Sequence, residues 1–150
     1  MFTNISHIGI AVKNLTESVD NFKKLFNQDD VHFETVEDQK VNLAFLDVRG
    51  VHIELLEPSS LDSPISKFLE NRGEGIHHLS FEVDDIEKEL SRLKKEGVRL
   101  IDETPKVGAG GKLIAFIHPK STNGVLIELS QKKYFITSPD FDEPLKDFEE

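Results

Sequence analysis

The stretch Gly75-Ile76-His77-His78-Leu79-Ser80-Phe81-Glu82-Val83-Asp84-Asp85-Ile86 repeats the pattern of an earlier one, His7-Ile8-Gly9-Ile10-Ala11-Val12-Lys13-Asn14-Leu15. His7 and His78 are 71 positions apart, and so are Leu15 and Ile86 near the ends of the two stretches. A second matched pair, Val51–Leu55 and Val125–Leu129, is offset by 74 positions and carries Glu54 in one copy and Glu128 in the other. The chain therefore contains two copies of one unit.

Each copy has the pattern of one strand, one helix and then further strands, since alternating or β-branched runs predict strands and apolar residues at helical spacing predict helices. The first copy is predicted to contain strand Ile5–Val12, helix Leu15–Phe26 and strands Val31–Val36, Val41–Val48 and Val51–Glu57. The second is predicted to contain strand Ile76–Val83, a helix with apolar residues Ile86, Leu90 and Leu93, and strands Val98–Ile101, Leu113–His118 and Gly124–Ser130. The segment from Pro105 to Lys112 is predicted to be a flexible loop.

One such unit has too few elements to cover both faces of its own sheet, so the two units are expected to join. The sequence predicts an α+β fold in which two tandem modules form a cupped, mixed eight-stranded sheet with the helices outside. The predicted organisation is a first module over residues 1–58, a helical linker over 59–75, a second module over 76–131 and an acidic, partly mobile tail over 132–150.

The composition narrows the possible partners and location. The 150 residues carry a formal net charge of −10, which repels nucleic-acid phosphates on average and argues against nucleic-acid binding. No apolar run is long enough to span a membrane, and the N-terminal residues lack the regions of a signal peptide. The absence of cysteine excludes disulfides and thiolate chemistry and is compatible with the cytoplasm, where we expect this protein.

The repeat places two histidines and two glutamates at matched positions, His7 and His78 on the first strands and Glu54 and Glu128 on the last. Each glutamate stands between two aliphatic residues on a strand, so it faces away from them and toward water, a cation or a partner. Two imidazoles and two carboxylates suit a divalent metal with positions left open for water or substrate. The pattern therefore suggests a metal site on the concave face of the sheet.

The other histidines are interpreted as structural or surface residues. His77 is adjacent to His78, so on a regular strand it points to the opposite face, and its removal is expected to leave the metal content largely intact. The remaining three, His32, His52 and His118, have no repeat partners.

Beyond this, the sequence resembles the vicinal oxygen chelate superfamily, which is built from paired βαβββ modules, and within it the methylmalonyl-CoA epimerase family. The resemblance covers roughly residues 3–131, as a single domain, and depends on a combination of short motifs. These are His7-Ile8-Gly9-Ile10-Ala11-Val12, Glu54-Leu55-Leu56-Glu57-Pro58, Gly73-Glu74-Gly75-Ile76-His77-His78, Gly108-Ala109-Gly110-Gly111, His118-Pro119-Lys120-Ser121 and Gly124-Val125-Leu126-Ile127-Glu128-Leu129.

The resemblance implies an isomerase that interconverts (R)- and (S)-methylmalonyl-CoA by moving the proton alpha to the thioester. It implies one divalent ion (cobalt, manganese, nickel or zinc) that stabilises the enolate, with His7, Glu54, His78 and Glu128 as its ligands. Glu128 would also act as an acid/base. The implied partner is an acyl-CoA thioester, and related proteins are often dimers, so a homodimer is expected.

One departure from the family pattern leaves the second acid/base open. Where some of these epimerases place a catalytic glutamate in the third strand, we align Leu43, which cannot carry a proton. Glu54, a metal-bound water and a loop residue are the candidates for that role. Some epimerases also have glutamine where Glu54 stands.

Two alternative functions also fit the same modules. The set of two histidines and two glutamates resembles that of glyoxalase I (lactoylglutathione lyase), which uses a metal-stabilised enediolate and a carboxylate base. The motif containing Lys120 and Ser121 favours the epimerase, because glyoxalases usually have a different turn there; these two residues are weak candidates for contacts with a carboxylate or with coenzyme A phosphates. The other alternative is a metal-free binding protein, as in drug-sequestering members, although four chelating side chains argue against it.

Overall fold

The computed structural model describes residues 1–132. Within them, the strands form one mixed sheet in the order β2-β3-β4-β1-β5-β8-β7-β6. The strands are β1 (Phe2–Ala11), β2 (His32–Val36), β3 (Val41–Val48), β4 (Val51–Pro58), β5 (Gly75–Val83), β6 (Lys106–Val107), β7 (Leu113–Ile117) and β8 (Ile127–Gln131). The helices are α1 (Leu15–Phe26), α2 (Pro64–Arg72) and α3 (Ile86–Lys95). This arrangement confirms the predicted α+β fold with a mixed eight-stranded sheet.

The two modules meet through their first strands. Strand β1 pairs antiparallel with β5, and each of these two strands pairs in parallel with the last strand of its own module, β4 or β8. The four central strands are therefore β4, β1, β5 and β8, in that order. These are the strands that carry the matched histidines and glutamates.

The repeat extends into the hydrophobic interior, where each module has its own core between its helix and its half of the sheet. The first core contains Val12, Leu15, Val19, Ala44, Leu46 and Leu55, and the second contains Val83, Ile86, Leu90, Ala115, Ile117 and Leu129. Residue by residue these are the same positions, offset by 71 along most of the module and by 74 in the last strand. Both helices also begin in the same way, since Asn14 and Asp85 each accept a hydrogen bond from a backbone N–H of the first turn.

The matched cores allow a test of how the two modules contribute to stability. Leu55 and Leu129 are completely buried at equivalent positions, so replacing either by alanine is expected to cost roughly 2–5 kcal/mol of unfolding free energy. Because β1 and β5 join the modules in one sheet, each variant should unfold in a single transition, measured by urea denaturation and circular dichroism. Leu25→Ala, at a 70% exposed position of α1, is the control and should stay within about 0.5 kcal/mol of the parent. Two separate transitions would contradict the joined sheet.

The prediction of a strand over Val98–Ile101 is wrong, and the short strand β6 lies instead within the segment predicted to be a flexible loop. Only Leu100 forms a bridge, to Ile117. The pairing stops there because the backbone N–H groups of Ile101 and Asp102 both donate to the carbonyl of Phe116, while the carboxylate of Asp102 accepts from the N–H of Phe116. The chain then resumes pairing with β7 at Lys106–Val107.

The glycine-rich segment after β6 is held across the modules. It forms a tight turn at Ala109–Gly111, and the N–H of Gly110 donates to both carboxylate oxygens of Glu34, at 2.9 and 3.2 Å. Gly110 has φ of 69°, a conformation that glycine adopts without strain. The segment is thus a hairpin connection that closes one side of the cup.

The other boundaries differ from the predicted ones by a few residues, and the predicted linker helix is α2. Apart from Lys132, the predicted acidic tail lies outside the described residues. Among residues 1–132 no helix is both long enough and apolar enough to cross a membrane. The division into modules, linker and tail remains a prediction.

Candidate metal centre

The four matched side chains meet at the centre of the sheet. Strands β4, β1, β5 and β8 carry Glu54, His7, His78 and Glu128 respectively, so the two histidines occupy the inner strands and the two glutamates flank them. Each of the four residues is at most 6% exposed. Residues that are distant in sequence are brought together because the two modules pair through their first strands.

The Nε2 atom of His7 is the point on which the cluster converges. It lies 3.0 Å from Nε2 of His78, 3.0 Å from Oε1 of Glu128 and 3.5 Å from Oε1 of Glu54. Ligand atoms of His7, Glu54 and His78 all lie within 4.8 Å of one another, and Glu128 Oε1 is 3.9 Å from His78 Nε2. This spacing allows one small cation to contact His7, Glu54 and His78. Glu128 adjoins both histidines but does not belong to the group whose ligand atoms all lie within 4.8 Å of one another.

The donor atoms fit a divalent metal ion. Imidazole nitrogen and carboxylate oxygen are the ligands that zinc and neighbouring transition metals take in proteins. Glu128 Oε1 is buried and has no hydrogen-bond partner among residues 1–132, despite its proximity to His7. An unpartnered buried carboxylate oxygen is costly unless a cation or a proton compensates for it. A cation beside this oxygen would therefore compensate for its burial.

Burial and proximity shift the pKa values within the cluster. Burial raises the pKa of Glu54 to about 7 and lowers the pKa of His78 to about 3. Burial also disfavours the charged forms of Glu128 and His7, but nearby groups outweigh it. The adjacent imidazoles hold the pKa of Glu128 below its ordinary value, and the two carboxylates hold the pKa of His7 above its ordinary value. His7 and Glu128 therefore favour each other's charged forms, whereas burial favours the neutral forms of Glu54 and His78.

A cavity of about 540 Å³ opens over the cluster. Its walls come from both modules and are mainly apolar, with Leu43, Leu56, Ile65, Ile114 and Phe116 among the lining residues. Leu43, which has no group that could carry a proton, is buried in this wall.

Three lysines line the cavity, and they differ in their partners. Lys40 forms an ion pair with Asp62, and Lys106 lies 3.4 Å from Asp102. The Lys112 ammonium is 3.5 Å from the Ser6 hydroxyl and has no carboxylate within ion-pair distance among the described residues. Sequence reasoning missed Lys112 because it treated the glycine-rich segment only as a loop.

The prediction that His77 points away from the metal site is wrong. His77 lines the same cavity, and its Nδ1 lies 3.0 Å from Nδ1 of His78. The reason is a β-bulge: Gly9 pairs with His78 while the next residue, Ile10, pairs with Ile76, so that His77 is an extra residue on β5. The bulge breaks the alternation on which the prediction depended.

The remaining predicted residues lie outside the cluster. Lys120 and Ser121 form an exposed turn and are not among the residues that line the cavity; the Ser121 hydroxyl accepts a hydrogen bond from the N–H of Arg99. Their role in substrate binding therefore remains a prediction without structural support.

The three histidines without repeat partners do not join the cluster either. His118 accepts a hydrogen bond from the Lys120 N–H. His52 lines the cavity, where its ring stacks on Phe45 at 4.6 Å, and the ring of the exposed His32 lies 4.7 Å from that of Phe45.

Comparison with known proteins identifies relatives of this chain. The uncharacterized protein YqjC of Bacillus subtilis is 44% identical over 129 residues, which cover 86% of this chain and 92% of that protein. The mitochondrial methylmalonyl-CoA epimerase of Dictyostelium discoideum is 45% identical over 129 residues, 85% of this chain and 78% of that one. The crystal structure of methylmalonyl-CoA epimerase from Mycobacterium tuberculosis superposes with a TM-score of 0.84 at 38% identity, covering 89% of this chain and 90% of that one.

A family model gives the broader assignment. It describes the glyoxalase/bleomycin resistance protein/dioxygenase superfamily and matches residues 6–116, which include part of β1 and all of β5. Together with the paired modules and the relatives above, this match confirms the resemblance inferred from the sequence. The chain therefore belongs to the glyoxalase/bleomycin resistance protein/dioxygenase superfamily.

Proposed function

We propose that this chain is a divalent-metal-dependent methylmalonyl-CoA epimerase. The observation that carries the proposal is the convergence of two imidazoles and two carboxylates in the lining of one cavity, in a chain that is 45% identical to an epimerase of that name. Epimerisation at a carbon next to a carbonyl requires removal of a proton from one face and delivery of a proton to the other. A pair of carboxylates on either side of a binding site suits that requirement.

The two glutamates have the placement for this proton transfer. Glu54 on β4 and Glu128 on β8 flank the two histidine strands, so they approach the centre from opposite sides. One carboxylate takes the proton as the C2–H bond breaks, and the electron pair of that bond moves into the enolate. The other glutamate, protonated beforehand, delivers its proton to the opposite face of C2. The two glutamates exchange protonation states, which prepares them for the reverse reaction.

The same four side chains would hold the metal. A divalent ion would be held by His7, His78 and whichever of Glu54 and Glu128 is ionised, and it would supply Lewis acidity that stabilises negative charge on the substrate oxygens. Its candidates are cobalt, manganese, nickel and zinc, which share a preference for nitrogen and oxygen ligands of this kind. In this assignment Glu54 takes the role of second acid/base that Leu43 cannot fill.

The cavity accommodates the other features of the proposed substrate. The apolar wall suits the methyl branch, and the Lys112 ammonium is a charge to which a substrate carboxylate or thioester oxygen can bind. Contacts from Lys120 and Ser121 to the coenzyme A part, a homodimeric assembly and a cytoplasmic location belong to the proposal on sequence grounds.

Two measurements on the purified protein test the proposal. The first is elemental analysis for divalent metals, followed by chelation and reloading. The second is incubation of each methylmalonyl-CoA stereoisomer in deuterated water, with NMR or mass spectrometry to follow deuterium at C2 and inversion of configuration. We expect the metal-loaded protein to exchange and invert, and the chelated protein to lose both activities until metal is restored.

The two alternative functions give different results in the same experiment. Turnover of a hemithioacetal of glutathione without exchange at C2 would identify a glyoxalase I. Failure of the protein to take up any divalent ion, with tight binding of a small molecule, would identify a metal-free binding protein. Either result would overturn the epimerase proposal.

A further inference from the structure

The residue immediately before each candidate histidine ligand lies in a β-bulge. On β1, Ile5 pairs with Phe81 and His7 with Ser80, so Ser6 is an extra residue opposite a single step of β5. On β5, His77 is the extra residue in the same way. Ser6 and His77 are themselves 71 positions apart, as the two ligand histidines are. Each module therefore has a bulge at the same point of its first strand.

Both bulged side chains contact the ring of the histidine that follows. The Ser6 hydroxyl oxygen lies 3.2 Å from Nδ1 of His7, and Nδ1 of His77 lies 3.0 Å from Nδ1 of His78. On a regular strand, neighbouring side chains point to opposite faces and could not make these contacts. The other ring nitrogens, Nε2 of His7 and His78, face each other at 3.0 Å in the centre of the cluster. Each imidazole therefore has its Nδ1 toward a bulged residue and its Nε2 toward the candidate metal position.

This orientation matters because a neutral imidazole carries its proton on only one nitrogen. To bind a metal through Nε2, the ring must keep its proton on Nδ1, and an acceptor next to Nδ1 fixes both that tautomer and the angle of the ring. A hydroxyl oxygen and an unprotonated imidazole nitrogen can both accept such a proton. Ser6 and His77 are chemically different, yet both offer this acceptor.

Both acceptors are held in place by further contacts. The ring of Phe68 on α2 packs edge-on against His77, with 4.9 Å between ring centroids. Ser6 is 8% exposed, and the Lys112 ammonium lies 3.5 Å from its hydroxyl oxygen. The ammonium can only donate, and the oxygen has a second lone pair with which to accept from His7. The two bulged residues are therefore fixed with respect to the rings that they contact.

We propose that Ser6 and His77 are positioning residues, which the two bulges aim at His7 and His78 so that both imidazoles present Nε2 to the metal. The inference rests on the metal site of the proposed function but not on the identity of the substrate. Metal binding is accordingly the quantity that tests it.

The test measures the dissociation constant of Co²⁺ for metal-stripped protein, by calorimetry or by competition with a chromophoric chelator. His77→Phe keeps a ring against Phe68 but removes the acceptor, and it should weaken Co²⁺ binding by about 10- to 100-fold. His77→Asn restores an acceptor oxygen at the position of Nδ1 and should recover most of this loss. Ser6→Ala should weaken binding by about tenfold. The thermal unfolding of the metal-free variants should match that of the parent.

A fourth variant, His52→Phe, is the matched control, since His52 lines the same cavity and stacks on Phe45. It should bind Co²⁺ like the parent. The inference is overturned if His77→Phe binds Co²⁺ as tightly as the parent, if His77→Asn is as weak as His77→Phe, or if the His52 control loses affinity equally. A parent protein that binds Co²⁺ without epimerising methylmalonyl-CoA would refute the proposed function and leave this inference testable.

Discussion

Replacement of Glu128 by glutamine is expected to abolish epimerisation of methylmalonyl-CoA, with a loss of roughly 10²- to 10⁴-fold in kcat. Glutamine retains an oxygen that can contact the metal, so the change mainly removes the ability to carry a proton. If Glu54 and Glu128 serve opposite faces of C2, the variant should still exchange deuterium into one stereoisomer without inverting it. The measurement is deuterium exchange and chiral analysis for each stereoisomer separately.

The matched control for this variant is Glu57→Gln. Glu57 lies on β4 close to Glu54, but its carboxylate accepts a hydrogen bond from the N–H of Leu15 at the start of α1 and is outside the set that lines the cavity. An amide oxygen can keep that hydrogen bond, so the control should epimerise at a rate close to that of the parent. Glu128→Ala should also be inactive. Retention of full activity in Glu128→Gln with bound metal would show that another group moves the proton.

Much of the fold and of the candidate site can be predicted because the sequence repeats one pattern of strands, helix and polar residues in both halves. A single strand histidine or glutamate has many interpretations, but His7 with His78 and Glu54 with Glu128 share an internal offset that surface residues need not follow. The same duplication predicted one joined sheet, since each unit lacks a second layer of its own. The structure places atoms of the other three residues, His78, Glu54 and Glu128, within 3.5 Å of His7 Nε2, so all four remain candidates for the metal site.

The wrong predictions share a physical cause: the alternation of apolar and polar residues along a strand does not indicate local changes in backbone geometry. His77 was assigned to the wrong face because a bulge is one extra residue opposite its partner strand, and no residue type marks it unambiguously. The repeat did contain a signal, since Ser6 and His77 occupy matched places. The strand was predicted in the wrong place because hydrogen bonds between Asp102 and Phe116, and not the apolar pattern, decide where pairing stops. Lys112 was missed because a loop's path over the cavity depends on tertiary contacts.

The glycine of the first strand explains how the four candidate ligands fit in so small a space. Gly9 pairs directly with His78 across β1 and β5, and the imidazole of His78 lies over it. A Cβ atom at this position would stand 2.3 Å from Cε1 and 2.6 Å from Nδ1 of that ring. The ring has little freedom to move aside, because the rings of His7 and Phe116 pack edge-on against it at 5.1 and 5.7 Å. The absence of a side chain at Gly9 is therefore a condition for the orientation of His78.

Gly9→Ala is expected to weaken Co²⁺ binding by about 10- to 100-fold, because the added methyl group must displace the ring of a candidate ligand, and to destabilise the metal-free fold by about 1–3 kcal/mol. Gly108→Ala is the matched control. A Cβ there would stand 2.7 Å from Cδ1 and 3.1 Å from Cγ1 and Cγ2 of Ile114, an aliphatic side chain that cannot bind a metal. The control should therefore keep its affinity for Co²⁺, and isothermal titration of both variants measures the difference. Equal affinities in Gly9→Ala and the parent would mean that His78 does not need this position to bind the metal, and the assignment of His78 as a ligand would then be wrong.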